Sequence, residues 1–346
     1  MYKGKIKFIL GCVIAAVAIL WPDGTIGQTR VVLPPDAPVF ITDKEPPPVP
    51  VLQHLGGDTY EKAISVASKV AVDLCVVQGT LRISGWKRDE VRVFVKDGSR
   101  VGFNVREKSS KDGKPVWISV IGYDEKKQNK GFPDCVWGSD IEIDVPENAT
   151  VEIKGQEVGA SIDKLRKLWI KNVGGNISVR NVSSGITALT YEGDITVDAS
   201  EGPMILETST GNITAFEVSP GEIGDRFKAK TTGGAIVLER VTHRQTEANS
   251  ISGSVSFNGE IRPGGSYILS TSNGSIRLTL PKSTSCQTVA QYGYGTFSSE
   301  LPIKLETETI EPGPLKKVSG KIGTGGDALL KLTTNHGSIS IKKSEN

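Results

Sequence analysis

The groups on this chain that could carry acid–base or covalent chemistry are three histidines, four cysteines and a dispersed set of carboxylates. Cleavage of a polysaccharide would need paired carboxylates, or carboxylates gathered round calcium, with a basic residue beside the scissile bond. Asp194 and Asp198 are four residues apart, while Glu201, Glu207 and Glu217 stand singly at positions that alternate outward. No single segment assembles a catalytic pair, although stacking of segments would be able to bring acids together. His54, His243 and His336 accompany no Gly-x-Ser-x-Gly elbow, and Ile251-Ser-Gly-Ser-Val255 offers no such frame. All three read as solvated linker or turn histidines. The expectation is a non-enzyme with no cofactor, and the alternatives are a polysaccharide lyase or hydrolase and an envelope-stress accessory protein that binds another protein.

The cysteines suggest no zinc site, because two closely spaced ligand pairs are missing. Past the N-terminal segment the chain holds Cys75, Cys135 and Cys286, an odd count that leaves one thiol over in an oxidising compartment. If one disulfide forms, Cys75 with Cys135 is the expected pair, both lying ahead of the repeats. Burial of all three as small apolar residues is the other reading.

The elements that must position these groups announce themselves as a repeat. Glycine followed by an alternating β pair recurs at Gly175, Gly193, Gly211, Gly234, Gly253, Gly274 and Gly337, at spacings of 18, 18, 23, 19, 21 and 63 residues. The last spacing is three times 21, and weaker copies fit at Gly159-Ala-Ser-Ile162 and at Gly295, 21 residues after Gly274. Three residues before the glycine stand Thr190, Thr208, Thr231, Thr271 and Thr334. Five and seven before it stand apolar pairs such as Leu206 with Met204 and Leu269 with Tyr267, which share one strand face. Each unit is then strand, Thr-x-x-Gly turn, strand, and a period near 20 predicts an all-β solenoid of stacked two-strand coils. A β-sandwich of Greek-key strands is the alternative. About eight or nine coils at roughly 4.8 Å would span on the order of 40 Å.

Residues 1–27 read as an export signal, with Lys3, Lys5 and Lys7 ahead of an apolar run from Phe8 to Leu20 that is short for a span of about 20 residues. Cleavage is expected after Gly27; an uncleaved signal would be the chain's membrane anchor. The lipoprotein-like Ile9-Leu10-Gly11-Cys12 leaves only about four apolar residues before its cysteine, which does not fit lipidation. Residues 28–57 are a stiff linker carrying Pro34, Pro35, Pro38, Pro46, Pro47, Pro48 and Pro50. Residues 58–154 form an irregular antiparallel β cap, and residues 155–346 the solenoid. The cap opens on a copy of the repeat, Gly79-Thr-Leu-Arg-Ile83, and at the other end Lys342 and Lys343 close the last strand with charge. Beyond the signal the charges balance, so no net field draws the chain to nucleic acid.

Gly79-Thr-Leu-Arg-Ile-Ser-Gly-Trp86, Asp89-Glu-Val-Arg-Val93, Ile143-Asp-Val-Pro146, the stacked glycine turns and Thr333-Thr-Asn-His-Gly-Ser-Ile-Ser-Ile341 together resemble the bacterial family of exported β-strand-repeat proteins labelled "putative adhesins". That family is a domain of unknown function. The resemblance runs over roughly residues 60 to 343, implies an adhesin-like envelope protein, and carries no catalytic residues to transfer. The departures are the longer proline-rich lead and the Cys75 and Cys135 pair.

Aromatic residues are the best handle on a binding site. Trp86, Trp117, Trp137, Trp169, Tyr292 and Tyr294 are the candidates, since a flat ring with a polar edge suits sugar or protein surfaces. The bland reading is that the tryptophans plug the cap. Sequons at Asn148, Asn176, Asn181, Asn212 and Asn273 are read as turn asparagines, and isolated Gly325-Gly-Asp327 is no calcium nonapeptide. The expected partners are a cell-wall or extracellular glycan, or an envelope protein. The expected place is periplasmic, outer-envelope or extracellular.

Overall fold

Alternation with period two makes strands, and the strands run as follows in a computed structural model that describes residues 59–109, 111–123, 134–310 and 315–345. The N-terminal part holds β1 (Thr59–Ser65), β2 (Ala71–Trp86), β3 (Glu90–Lys96), β4 (Arg100–Lys108), β5 (Pro115–Tyr123) and β6 (Asp140–Pro146). The repeats begin with β7 (Thr150–Leu165), β8 (Lys167–Lys171), β9 (Ile177–Val182), β10 (Ile186–Glu192), β11 (Ile195–Asp198), β12 (Met204–Thr210) and β13 (Ile213–Phe216). They continue as β14 (Arg226–Gly233), β15 (Ile236–Glu239), β16 (Gln245–Ser252), β17 (Val255–Asn258), β18 (Ser266–Asn273) and β19 (Ile276–Leu280). The chain closes with β20 (Cys286–Tyr294), β21 (Phe297–Ser299), β22 (Ile303–Ile310), β23 (Lys316–Ile322), β24 (Leu329–His336) and β25 (Ile339–Lys343). The export signal, the proline-rich lead and His54 lie outside the described residues.

Each coil lays one strand on either side of its glycine turn, and every strand pairs in parallel with its counterpart one repeat away. The first strands β8, β10, β12, β14, β16 and β18 form one ladder, and the second strands β9, β11, β13, β15, β17 and β19 form the other. Identical or similar residues therefore stack in register. Ile177, Ile195, Ile213, Ile236, Val255 and Ile276 make one buried column that belongs to the common core. The chain is thus an all-β solenoid, as its period predicts.

The threonine of Thr-x-x-Gly points inward and ties one coil to the previous turn. The hydroxyls of Thr208, Thr231, Thr271 and Thr334 donate to the carbonyls of Gly193, Gly211, Gly253 and Gly274 at 3.0, 2.9, 2.8 and 2.8 Å. Ser250 does the same to Gly234 at 2.9 Å. The glycines are required by closeness. A Cβ at Gly193 would stand 2.4 Å from the Gly175 oxygen, and one at Gly337 would stand 1.9 Å from the Gly274 oxygen. In β7 the turn position falls on Val158, one residue before the Gly159 expected from the pattern, because Val158 aligns with Gly79.

The second corner has no marker residue. Lys164, Asn181, Ala199, Glu217 and Arg240 follow one another up the stack with φ of 58°, 56°, 44°, 51° and 52°. Left-handed backbone at five different residue types shows that the corner is imposed by the ladders on either side.

The order of coils departs from the sequence at both ends. β24 and β25 pair directly with β18 and β19, and β20 and β21 lie beyond them, pairing with β24 and β25. The 63-residue interval is therefore not three coils laid in order. The coil of Gly337 stacks directly on that of Gly274, and the intervening Gly295 coil is displaced outward. Lys342 and Lys343 consequently belong to an interior coil rather than closing the stack. At the other end β2 lies between β7 and a coil made of β5 and β6. Parallel stacking thus starts inside the region expected to be antiparallel. Only β1, β3 and β4 there run antiparallel to their partners, and position 154 falls within β7. Cys75 of β2 and Cys135, just ahead of β6, form a disulfide that joins these two coils.

The end strands are blunted. β22 is bulged between Leu305 and Thr307 and carries Lys304 and Glu306, and β4 is bulged beside Val105 and carries Arg106 and Lys108. Bulges and charges deter edge-to-edge association.

Candidate binding surface

The six candidate aromatics are not brought together. Trp86, Trp117 and Trp137 sit in the N-terminal coils, Trp169 lies on β8, and Tyr292 and Tyr294 lie in the outermost C-terminal coil. Trp86 donates its indole N–H to the Glu90 carbonyl at 2.7 Å under the Arg88 guanidinium, and Trp117 donates to Asp73 Oδ1 at 2.6 Å. Trp137 is half-buried. Tyr292 is buried against Phe297, whereas Tyr294 is 65% exposed and stacks on His336 at 5.0 Å.

The histidines divide. His336 is exposed, as expected, but ends β24 beside the Gly337 turn rather than lying in the turn itself. His243 is a correction: it is fully buried against Phe227, with Nε2–H donating to the Gly202 carbonyl at 2.8 Å and Nδ1 without a partner among the described residues. Burial, opposed in part by Asp225, holds its imidazolium below the usual histidine range. His243 lies in the connection between β15 and β16. Cys286 is the free thiol, and burial pushes its pKa up.

Most of the carboxylates singled out engage neighbouring coils, Asp198 and Glu201 being the exceptions among the described residues. Glu207 pairs with Lys228 at 2.6 Å and Glu217 with Arg240 at 2.8 Å, while Asp225 holds Arg244. Asp194 Oδ1 accepts the Asn212 backbone N–H at 2.7 Å, as Asn176 Oδ1 accepts that of Asp194 at 2.9 Å and Asn212 Oδ1 that of Ala235 at 2.9 Å. Two of the sequon asparagines are thus rungs of a turn ladder. Among the described residues no three His, Cys, Asp or Glu side chains gather as a metal site.

Two outer surfaces remain. On the second-strand side, Ser161, Ser178, Thr196 and Thr214 stand in register as a row of hydroxyls. On the first-strand side, two columns run along the stack. One is Gln156, Val173, Tyr191, Ser209 and Thr232; the other is Lys154, Lys171, Leu189, Glu207 and Lys230. Val173 and Tyr191 are 53% and 59% exposed. A shallow cavity of ≈ 150 Å³ beside Cys75, Val77 and Val173 opens at one end of these columns. Another of ≈ 200 Å³ beside Leu189, Ser209 and Thr232 opens at the other. Sequence reasoning missed Val173 and Tyr191, because an exposed residue before a turn glycine looks like any other turn residue.

The family model described as Toastrack DUF4097 matches residues 71–342. No curated protein matches the sequence. Two solved structures are similar. One is a "putative cell adhesion protein" from Clostridium sporogenes, 13% identical, covering 83% of this chain and 100% of that one, with a TM-score of 0.25. The other is a "putative adhesin" from Parabacteroides distasonis, 11% identical, covering 83% of this chain and 98% of that one, with a TM-score of 0.31.

Proposed function

The chain belongs to the Toastrack DUF4097 family, and from that premise we propose that it is an exported, adhesin-like binding and structural module of the bacterial envelope, acting without catalysis. The observation that carries this reading is the outer surface itself. Successive coils present the same positions at a spacing of roughly 4.8 Å, so that a hydroxyl contact is repeated along the stack by Ser161, Ser178, Thr196 and Thr214. Polymers of repeating units are the ligands such a surface fits.

Two further features support it. Of the five carboxylates singled out in the sequence, Glu207 and Glu217 are engaged in ion pairs and Asp194 in a turn ladder across coils, leaving Asp198 and Glu201. The two cavities described, ≈ 150 and ≈ 200 Å³, are small beside typical ligand pockets of about 300–1,000 Å³. A second reading, an envelope protein as partner, is favoured by the exposure of Val173, Tyr191 and Ile205 on one face.

The test is incubation of the protein with labelled cell-wall and extracellular polysaccharides, following both retained and released label. Retention without release is expected. Release of fragments would overturn the non-enzymatic reading.

A further inference from the structure

The two columns between the cavities differ from the rest of the surface. Tyr191 is exposed midway along one of them, next to Val173, and its ring has room for a flat apolar partner. Beside it, Lys171 and Lys230 point outward and are exposed, and no ion pair among the described residues engages either ammonium. The carboxylate between them in the column, Glu207, is neutralised by Lys228. On β8, Lys167, Trp169 and Lys171 share the outward face. The Trp169 indole N–H has no partner among the described residues, in contrast to those of Trp86 and Trp117. Glu152, opposite Trp169, is paired with Lys154 at 3.3 Å. In a chain whose charges balance overall, Lys167, Lys171 and Lys230 stand here around aromatic rings, against the exposed Glu157 and Glu192 at the turn beside Tyr191.

We propose that this face is a track for a linear acid-bearing polysaccharide lying along the stacking axis. Tyr191 stacks on one sugar ring, Lys171 and Lys230 pair with its acid groups, and Ser209 and Thr232 hydrogen-bond its hydroxyls. The proposal rests on the binding-module reading and names the ligand class for it. A polysaccharide is favoured over a protein partner because lysines and hydroxyls interrupt the apolar residues at nearly every coil. It is favoured over a lipid surface because Trp169 lies half-buried in the sheet and does not protrude. An extended sugar chain repeats at a length comparable to one coil.

The experiment measures binding of the full chain to polygalacturonate, to its fully methyl-esterified form, to dextran sulfate, and to vesicles of phosphatidylglycerol with phosphatidylcholine. At least one acid polymer is expected to bind, with affinity falling as salt rises, and the methyl ester to bind far more weakly than polygalacturonate. Lys171→Gln with Lys230→Gln is expected to weaken binding about tenfold and to flatten the salt dependence. Tyr191→Ala is expected to weaken it about tenfold with the salt dependence kept. These side chains point into solvent, and an unchanged Tm shows that the variants fold. Lys342→Gln with Lys343→Gln, in an interior coil near the C-terminus, is expected to change little. Binding of neither acid polymer, equal binding of ester and acid, or unchanged affinity in the variants would overturn the proposal. Binding to vesicles alone would also overturn it in favour of a membrane surface. Retention of a neutral glycan or an envelope protein instead would refute the track and leave the binding-module reading standing.

Discussion

At the residue scale, buried polar groups do the aligning. The threonine and serine hydroxyls that reach back to the previous turn glycine each contribute about 1 kcal/mol, because the buried hydroxyl would otherwise be left without a partner. Asn172 holds the equivalent position ahead of Gly175, and its amide donates to the Val158 and Gly174 carbonyls at 2.8 and 2.6 Å. His243 is the buried polar group with a pH consequence. Its folded-state pKa is lowered by burial, so below about pH 6.5 the unfolded chain takes up a proton that the folded chain refuses. Asp225 works against that lowering and Arg262 adds to it. Stability therefore falls as pH drops through and below about 6.5. Thermal unfolding followed from pH 8 to 5 is expected to show this decline, and to show a shallower one in His243→Leu. Parallel profiles in the two proteins would contradict it.

At the element scale, the turn with glycine and the corner without it behave differently. The first is legible because a Cβ has no room there. The second places Ala199 and Glu217 at positive φ through the pull of neighbouring strands, and no residue type marks it. The disulfide acts between elements, holding the coil of β5 and β6 against β2 across a sequence separation of 60. In the chain-entropy account a loop of that size contributes about 4 kcal/mol. Cys135→Ser is thus expected to lower the unfolding free energy by about 2–4 kcal/mol in urea titration, with a reducing agent doing the same to the parent protein. Identical midpoints with and without reductant would mean that the bridge adds nothing.

At the scale of the whole molecule, the last strands complete the interior. β25 offers Ile339 and Ile341, both buried, and has partners on both sides, whereas β21 is three residues long with half-exposed Phe297 and Ser299. An apolar strand suits the inside of a stack and a short, hydroxyl-bearing one suits its edge. A chain ending at Gly326 loses the coil on which β20 and β21 rest. Hydrogen exchange is expected to show β20 to β23 unprotected in that truncation, with β8 to β13 still protected. Persistent protection of β20 would mean that it has slid onto β18, restoring the order of the sequence.

The period of the glycines, the inward pairs and the Thr-x-x-Gly turn were enough by themselves to determine a solenoid and the register of β9 to β19, since each depends on contacts between residues one repeat apart, while in β7 the turn fell one residue from the expected Gly159. The paired cysteines were legible as a choice between two readings. The order of the end coils was decided only by the tertiary structure, because Gly295 and Gly337 carry the same local signal and differ in which strand edges they leave to be covered. The burial of His243 was likewise beyond the sequence, as it depends on the Phe227 ring and the Gly202 carbonyl, the latter 41 residues away, closing on the imidazole. The surface columns of Tyr191, Lys171 and Lys230 exist only through stacking, which gathers residues from 20 to 59 positions apart onto one face.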